Sequence, residues 1–299
     1  MIEANLVARL NYSLLNIGAW TDVPLGAITN NNGDLSCLVP HCDTGYTNGQ
    51  VWQSARQNWV YETEVMYTDM DMNVHSPKAP EIYVNGGLVT TGFTINYPLG
   101  RVIFDPAISE TDQVQACFSF KNIGVIMGDQ TPWWTEIQRR SWNIDEKFFT
   151  KTPECNFQWM VDARHLLQMP VIVVTGVPTG QMRGLAIGNC KKRYDQDILI
   201  HILSEKKPIL KTLMDVIFSL GDRNLCTFEC DDAAIAGDLP LDCGGVPTGM
   251  LTLPELVDQY PWCRLETGVV QLIELHSLKC GLFEAMLRIP TSIVVCATC

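Results

Sequence analysis

Asp69 and Asp71 form a D-x-D, the pattern that holds a metal ion in sugar transferases. A bare D-x-D also arises often by chance, and this one sits among Met and Thr just before Asn73. Metal chemistry could also come from the twelve cysteines. Cys37 and Cys42 flank His41, Cys226 and Cys230 stand four apart, and Cys296 and Cys299 form a C-x-x-C. None of these has a second pair at finger or ribbon spacing, so zinc is not the expected reading. The run from Glu229 to Asp242 carries Glu229, Asp231, Asp232, Asp238 and Asp242 without Lys or Arg. It lacks the ligand and glycine order of a calcium loop and reads as a solvated acidic loop. The histidines are scattered, and His201 lies mid-strand between apolar neighbours. That placement suits a hydrogen-bonded interior residue better than a general base. No nucleophile elbow, zincin helix, phosphate loop or dinucleotide fingerprint is present. These patterns predict no catalytic residue, no metal and no cofactor.

The elements that would position such residues follow from composition and period. The chain has 299 residues, 46% hydrophobic and 18% charged, which predicts a globular protein. A net charge of −12 argues against a surface built to grip phosphates. No apolar run reaches the roughly 18 residues of a membrane span, and the N-terminus lacks the layout of a signal peptide. A soluble protein made or assembled in a cytoplasm is expected.

The central unit is Met169 to Asp222. The apolar run Val171–Val174 and the run Ile198–Leu203 predict buried strands, with a glycine loop between them. A helix should follow, capped by Ser204, with Pro208 in its first turn and Gly221 as its stop. Upstream, Leu6, Leu10, Leu14 and Ile17 predict an amphipathic helix over 2–17. Trp52, Trp59 and Tyr61 form an aromatic stretch with Arg56 as its lone cation, which predicts core rather than a nucleic-acid platform. From Glu81 to Phe120 an antiparallel meander is expected, with a turn at Asn85-Gly86 and alternation through Phe93, Ile95 and Tyr97. The helix or the aromatic stretch could cover it. Trp133 and Trp134 near Arg139 and Arg140 would make a subunit contact if exposed, although buried packing is the plainer reading. Residues 267–296 can supply two closing strands.

A boundary near 150–155 divides the chain into 1–150 and 151–299. The expected class is α+β. Its first part is an N-terminal helix with a β domain whose long hairpin spans 81–104, and its second is a small α+β domain.

Two segments together resemble structural proteins of tailed bacteriophages. The first runs from Gly49-Gln50-Val51-Trp52 through Trp59-Val60-Tyr61-Glu62, Glu81–Gly86 and Gly92–Tyr97 to Gly100–Phe104. More narrowly, it is similar to neck and connector proteins of contractile-tailed phages. The order of strand, glycine loop, strand and helix in the second half resembles the small fold of tail terminators and related joining proteins. The resemblance implies a virion protein without enzymatic activity, in a homo-oligomeric ring of six or twelve copies between head and tail. Its implied partners are an adjacent portal-side neck ring and the tail tube or sheath, with DNA passing through the lumen and no membrane contact. On that reading Asn85, Gly86, Phe93 and Tyr97 are candidate contacts between rings, through strand addition to a neighbour's sheet. Glu229, Asp231, Asp232 and Asp238 are candidates for an acidic lumen that repels DNA phosphates. Two further classes stand beside it: a baseplate or other virion binding module, and a cytoplasmic α+β enzyme with an unrecognised site.

Overall fold

The computed structural model describes residues 2–26, 28–29, 33–42, 45–129, 134, 150–151, 159–162, 165–177, 180–184, 191–239, 251–277 and 281–296. It is a mixed α+β protein, mostly strand, with antiparallel sheets. Two large cores organise it.

The first core is a pair of four-stranded sheets. Its strands in chain order are β1 (Trp20–Val23), β2 (Leu38–Pro40), β3 (Val51–Ser54), β4 (Glu81–Val84), β5 (Gly87–Val89), β6 (Phe93–Asn96), β7 (Arg101–Phe104) and β8 (Val114–Lys121). One sheet runs β1-β8-β4-β5 and the other β6-β7-β3-β2. Ile82, Ala116 and Phe118 from the first meet Trp52, Val102 and Phe104 from the second in one buried cluster. Trp59 stacks on Phe118 with ring centroids 4.0 Å apart. The indole N–H of Trp52 donates to the Gly49 carbonyl at 3.0 Å, and that of Trp59 to the Arg56 carbonyl at 2.9 Å. Both large rings are thus buried with their polar atoms satisfied.

The expected meander is therefore two hairpins in facing sheets, not one hairpin over 81–104. β4 and β5 turn at Asn85-Gly86, both with positive φ. The chain then crosses to the other layer, where β6 pairs with β7. Alternation of apolar residues marks the buried face of each strand, and that face is the same interior seen from either sheet.

The second core is an eight-stranded sheet. Its strands are β9 (Gly124–Met127), β10 (Val171–Gly176), β11 (Gln181–Gly184), β12 (Lys191–Ser204), β13 (Arg223–Phe228), β14 (Pro261–Thr267), β15 (Gln271–Ser277) and β16 (Phe283–Cys296). The order is β9-β10-β12-β16-β14-β13, with β11 also beside β12 and β15 beside β16. Among the described strands only β9 and β10 run parallel. Helices α1 (Ile2–Asn16) and α2 (Lys207–Phe218) cover one face. Ile2, Leu6, Leu10 and Leu14 of α1 pack with Leu210, Leu213 and Ile217 of α2 over Ile198, Ile200 and Ile202. Each such buried side chain contributes about 1.5–3 kcal/mol. The N-terminal helix thus packs chiefly on this sheet, although it was expected to group with the β domain. α1 and β9 both precede residue 150, yet α1 packs into the core of the second half and β9 pairs with β10, while Leu15 near the end of α1 also packs with Val60 and Val65.

Two cap expectations fail. The residue preceding α2 is Lys206, and the Ser204 hydroxyl bonds only to the Lys206 backbone. Gly221 provides close approach instead, since a Cβ there would lie 3.0 Å from Val270 Cγ2. Within the acidic run expected as a loop over 229–242, residues Cys230–Ala236 form a helix, α3. Its two aspartates sit in the first turn, where the helix dipole favours them, and Gly237 closes it at φ 78°. α3 and α4 (Leu253–Gln259) pack through Ala233 and Leu256 against Ala8 and Tyr12 of α1.

Candidate functional site: a polar sheet face and exposed turns

β12 and β16 pair over their whole length, from Lys191 opposite Cys296 to Ser204 opposite Phe283. Directly opposed residues share a face, so Ile198, Ile200, Leu287 and Ile289 all point to the helices. The alternate set points the other way: Arg193, Asp195, Asp197 and His201 on β12, and Glu284, Arg288 and Ser292 on β16. This second face opens into a cleft of about 900 Å³ lined by Arg183, Arg193, Arg288, Asp195, Asp197 and Glu266 among others. Arg193 Nε donates to Asp195 Oδ1 at 2.8 Å and its Nη2 lies 3.7 Å from Glu266. Arg288 reaches Asp197 at 2.6 Å, and Arg183 Nε stands 3.9 Å from Asp195. The Arg193 hydrogen bond, more than its charge, lowers the Asp195 pKa, and the same contact raises that of Arg193. Three guanidiniums and three carboxylates neutralise one another. The cleft concentrates neither sign, which suits a polar contact surface better than an ion site.

Further along this face His201 Nδ1 lies 3.1 Å from Glu284 Oε1, with both side chains about nine-tenths covered. Trp134 sets its ring edge-on to the imidazole at 4.7 Å. His201 Nε2 is buried and meets no hydrogen-bond partner among the described residues. The pair has the carboxylate-held imidazole of a general base, but no described hydroxyl or thiol bonds to the free nitrogen. Burial also pushes the Cys230 thiol up to about 11, away from nucleophilic use.

The D-x-D makes a turn. Asp69 accepts from the backbone of Asp71 and Asn73 at 2.9 Å each, from Asn73 Nδ2 at 3.2 Å, and stands 2.8 Å from His75 Nε2. The hydrogen bond to His75, more than any other, holds its carboxyl at about 2. Its oxygens are consumed by the hairpin Tyr67–Thr68 with Val74–His75. Met66, Met70, Met72 and Val74 are exposed on and beside that hairpin. The sequence signal for them is three methionines, Met66, Met70 and Met72, close together in a polar stretch. Among the described residues no group of His, Cys, Asp and Glu could hold a metal ion.

The other expected site residues are scattered. Asn85 and Gly86 form an exposed turn, and Asn85 Nδ2 donates to Asp112 at 2.9 Å. Phe93 is half-buried and Tyr97 is 7% exposed, so Tyr97 belongs to the interior rather than to a contact between rings. Trp134 is 3% exposed, packed inside its own chain rather than offered to a neighbour. Trp133, Arg139 and Arg140 lie outside the described residues, as do Asp242 and Cys299. In α3, Asp231 and Asp232 are exposed. Glu229 is half-buried before the helix, and Asp238 is taken up by Gln259 Nε2 at 3.1 Å and by the Tyr260 hydroxyl. No described helix is long and apolar enough to cross a membrane.

No known protein-family model matches the chain, and no curated protein matches it significantly.

Proposed function

We propose that this chain is a structural protein of a tailed-phage virion that forms a ring in the neck between head and tail. The observation that carries this reading is the exposed apolar hairpin of Met66, Met70, Met72 and Val74, fixed by the Asp69 turn. Methionine is an adaptable contact residue, and a stiff hairpin presenting several of them fits docking between subunits. The Asn85-Gly86 turn is a second projecting element, with Leu88 exposed beside it. The sequence resemblance from Gly49 to Phe104 spans both hairpins.

In this reading the sheets are the scaffold and the turns are the joints. Each copy docks on the next through a heterologous interface whose rotation closes. Asp231 and Asp232 line the DNA path, where carboxylates keep the phosphate backbone from adhering. The second half takes the part of a tail-terminator or joining fold. Native mass spectrometry with electron-microscopy class averages tests the proposal. A closed ring of six or twelve copies supports it. A contact-forming protein that never closes a ring favours a baseplate or other binding module instead. A compact particle with a bound small molecule overturns it in favour of an enzyme.

A further inference from the structure

Among the described residues β15 is an uncovered edge. β13 shields the outer side of β14 from Phe228 opposite Pro261 up to Arg223 opposite Thr267, and there it ends. Beyond it the seven residues of β15 pair with β16 on one side, and no described strand pairs with the other. All seven are exposed, including Leu272, Ile273 and Leu275, each nearly half so. A row of unpaired backbone groups next to exposed aliphatic side chains is a template for another strand.

The residues on this edge also suggest which strand. A twofold axis normal to a sheet continues it with an antiparallel copy, and only residues of equal parity then face each other. The register is therefore named by the residue on the axis. A β-bulge between Leu272 and Glu274 confines the regular part to Glu274–Ser277. Centred on Glu274, two carboxylates would meet. Centred on His276, two imidazoles would meet. Centred on Leu275, Glu274 of each copy faces His276 of the other, and the two Leu275 side chains touch. Glu274 and His276 already lie on one face, 3.0 Å apart within the chain.

We propose that β15 pairs with β15 of a second copy about a twofold axis at Leu275, joining two eight-stranded sheets into one. Glu274 meets the partner's His276 twice across the axis. The contact buries aliphatic edge that is otherwise wet, and it satisfies the outward N–H and C=O groups. It stands apart from the neck reading: a ring without this pairing leaves that reading intact and overturns this one.

A self-contact on the axis has a distinctive test. Leu275→Lys and Leu275→Glu each place two like charges on the axis, and each alone is expected to weaken pairing at least about tenfold. An equimolar mixture places Lys opposite Glu and is expected to recover the paired mass. Sedimentation velocity reads all three, with near-UV circular dichroism checking that each variant folds. Wild-type protein that shows no paired species at high micromolar concentration overturns the proposal. So does a single variant that keeps the wild-type mass, or a mixture that stays apart. Amide exchange over 271–277 in unaltered protein gives a readout free of any variant. It is expected to slow as concentration rises, and exchange independent of concentration overturns the pairing.

Discussion

Lys121 Nζ faces Glu62 Oε2 at 3.5 Å where the two cores meet. Lys121 ends β8 of the sandwich, and its ammonium also donates to Asn11 of α1 at 3.3 Å. It sits 5.0 Å over the Tyr61 ring, whose phenol is held well above its ordinary range by burial and then by the Glu62 charge. Both charged side chains are nearly enclosed, so removing one leaves the other desolvated and unpaired. Lys121→Met is expected to destabilise the fold by about 3 kcal/mol. The double variant Lys121→Met/Glu62→Leu should recover most of that loss. Urea unfolding midpoints compare the three proteins, and a single variant as stable as the double contradicts the account.

Two glycines of the sandwich separate conformational need from space. Gly86 has φ 79° and open surroundings, so Gly86→Ala should cost about 1 kcal/mol. Gly100 has φ 63°, and a Cβ there would overlap the Arg56 carbonyl and press on Trp59 Nε1 at 2.9 Å. That carbonyl is the acceptor for the buried Trp59 indole. Gly100→Ala is expected to cost about 3 kcal/mol or more, through loss of that hydrogen bond and its packing. Thermal unfolding of the pair is the check, with Trp fluorescence reporting the Trp59 environment.

Part of this architecture is legible in the sequence. Leu6, Leu10 and Leu14 repeat at helical spacing, and Ile198, Ile200 and Ile202 alternate, because burial imposes both periods on the chain. Trp52 and Trp59 read as core because their neighbours lack the cations of a binding platform. What escaped reading depends on distance along the chain. β12 begins at Lys191, but its first half carries Lys192, Arg193, Asp195 and Asp197, which look like loop until β11 and β16 pair alongside. His201 meets Glu284 through a strand pairing 83 residues long in sequence separation, and no local pattern encodes it. α3 was masked by its own charges, since two aspartates suggest solvent more readily than a first helical turn. The Met hairpin has strands of only two residues each, too short to show an alternating pattern.

The Asp69 turn makes a pH prediction with a definite sign. Its carboxyl is held at about 2 by the His75 hydrogen bond first, against an ordinary value of about 3.9. A carboxyl depressed in the folded state favours folding above its unfolded value, and that contribution is lost as pH falls from about 4 through about 2. The 67–75 hairpin is therefore expected to stay ordered at pH 4 and to fray near pH 2 while the cores persist. Carboxyl titration by NMR should give Asp69 a midpoint near 2, and His75→Ala should raise it. An ordinary midpoint in the unaltered protein would refute the turn as drawn.

Asp231 and Asp232 offer the sharpest functional test because they can be changed without touching a core. Both are exposed in the first turn of α3, and that helix is held from its other side by Ala233. Changing both to Asn removes two charges near the helix N-terminus, a loss of about 0.3–1 kcal/mol each, small enough to leave the fold standing. If these carboxylates face passing DNA, their loss removes repulsion of the phosphates, and the strand should move more slowly or stall. Virions carrying Asp231→Asn/Asp232→Asn are expected to assemble normally and to eject their genomes more slowly, with the deficit growing as salt is lowered and screening weakens. Ejection timed by release of dye-accessible DNA measures this directly. Unchanged ejection at low salt removes these two residues from the DNA path, and a failure of assembly instead places α3 at a subunit contact.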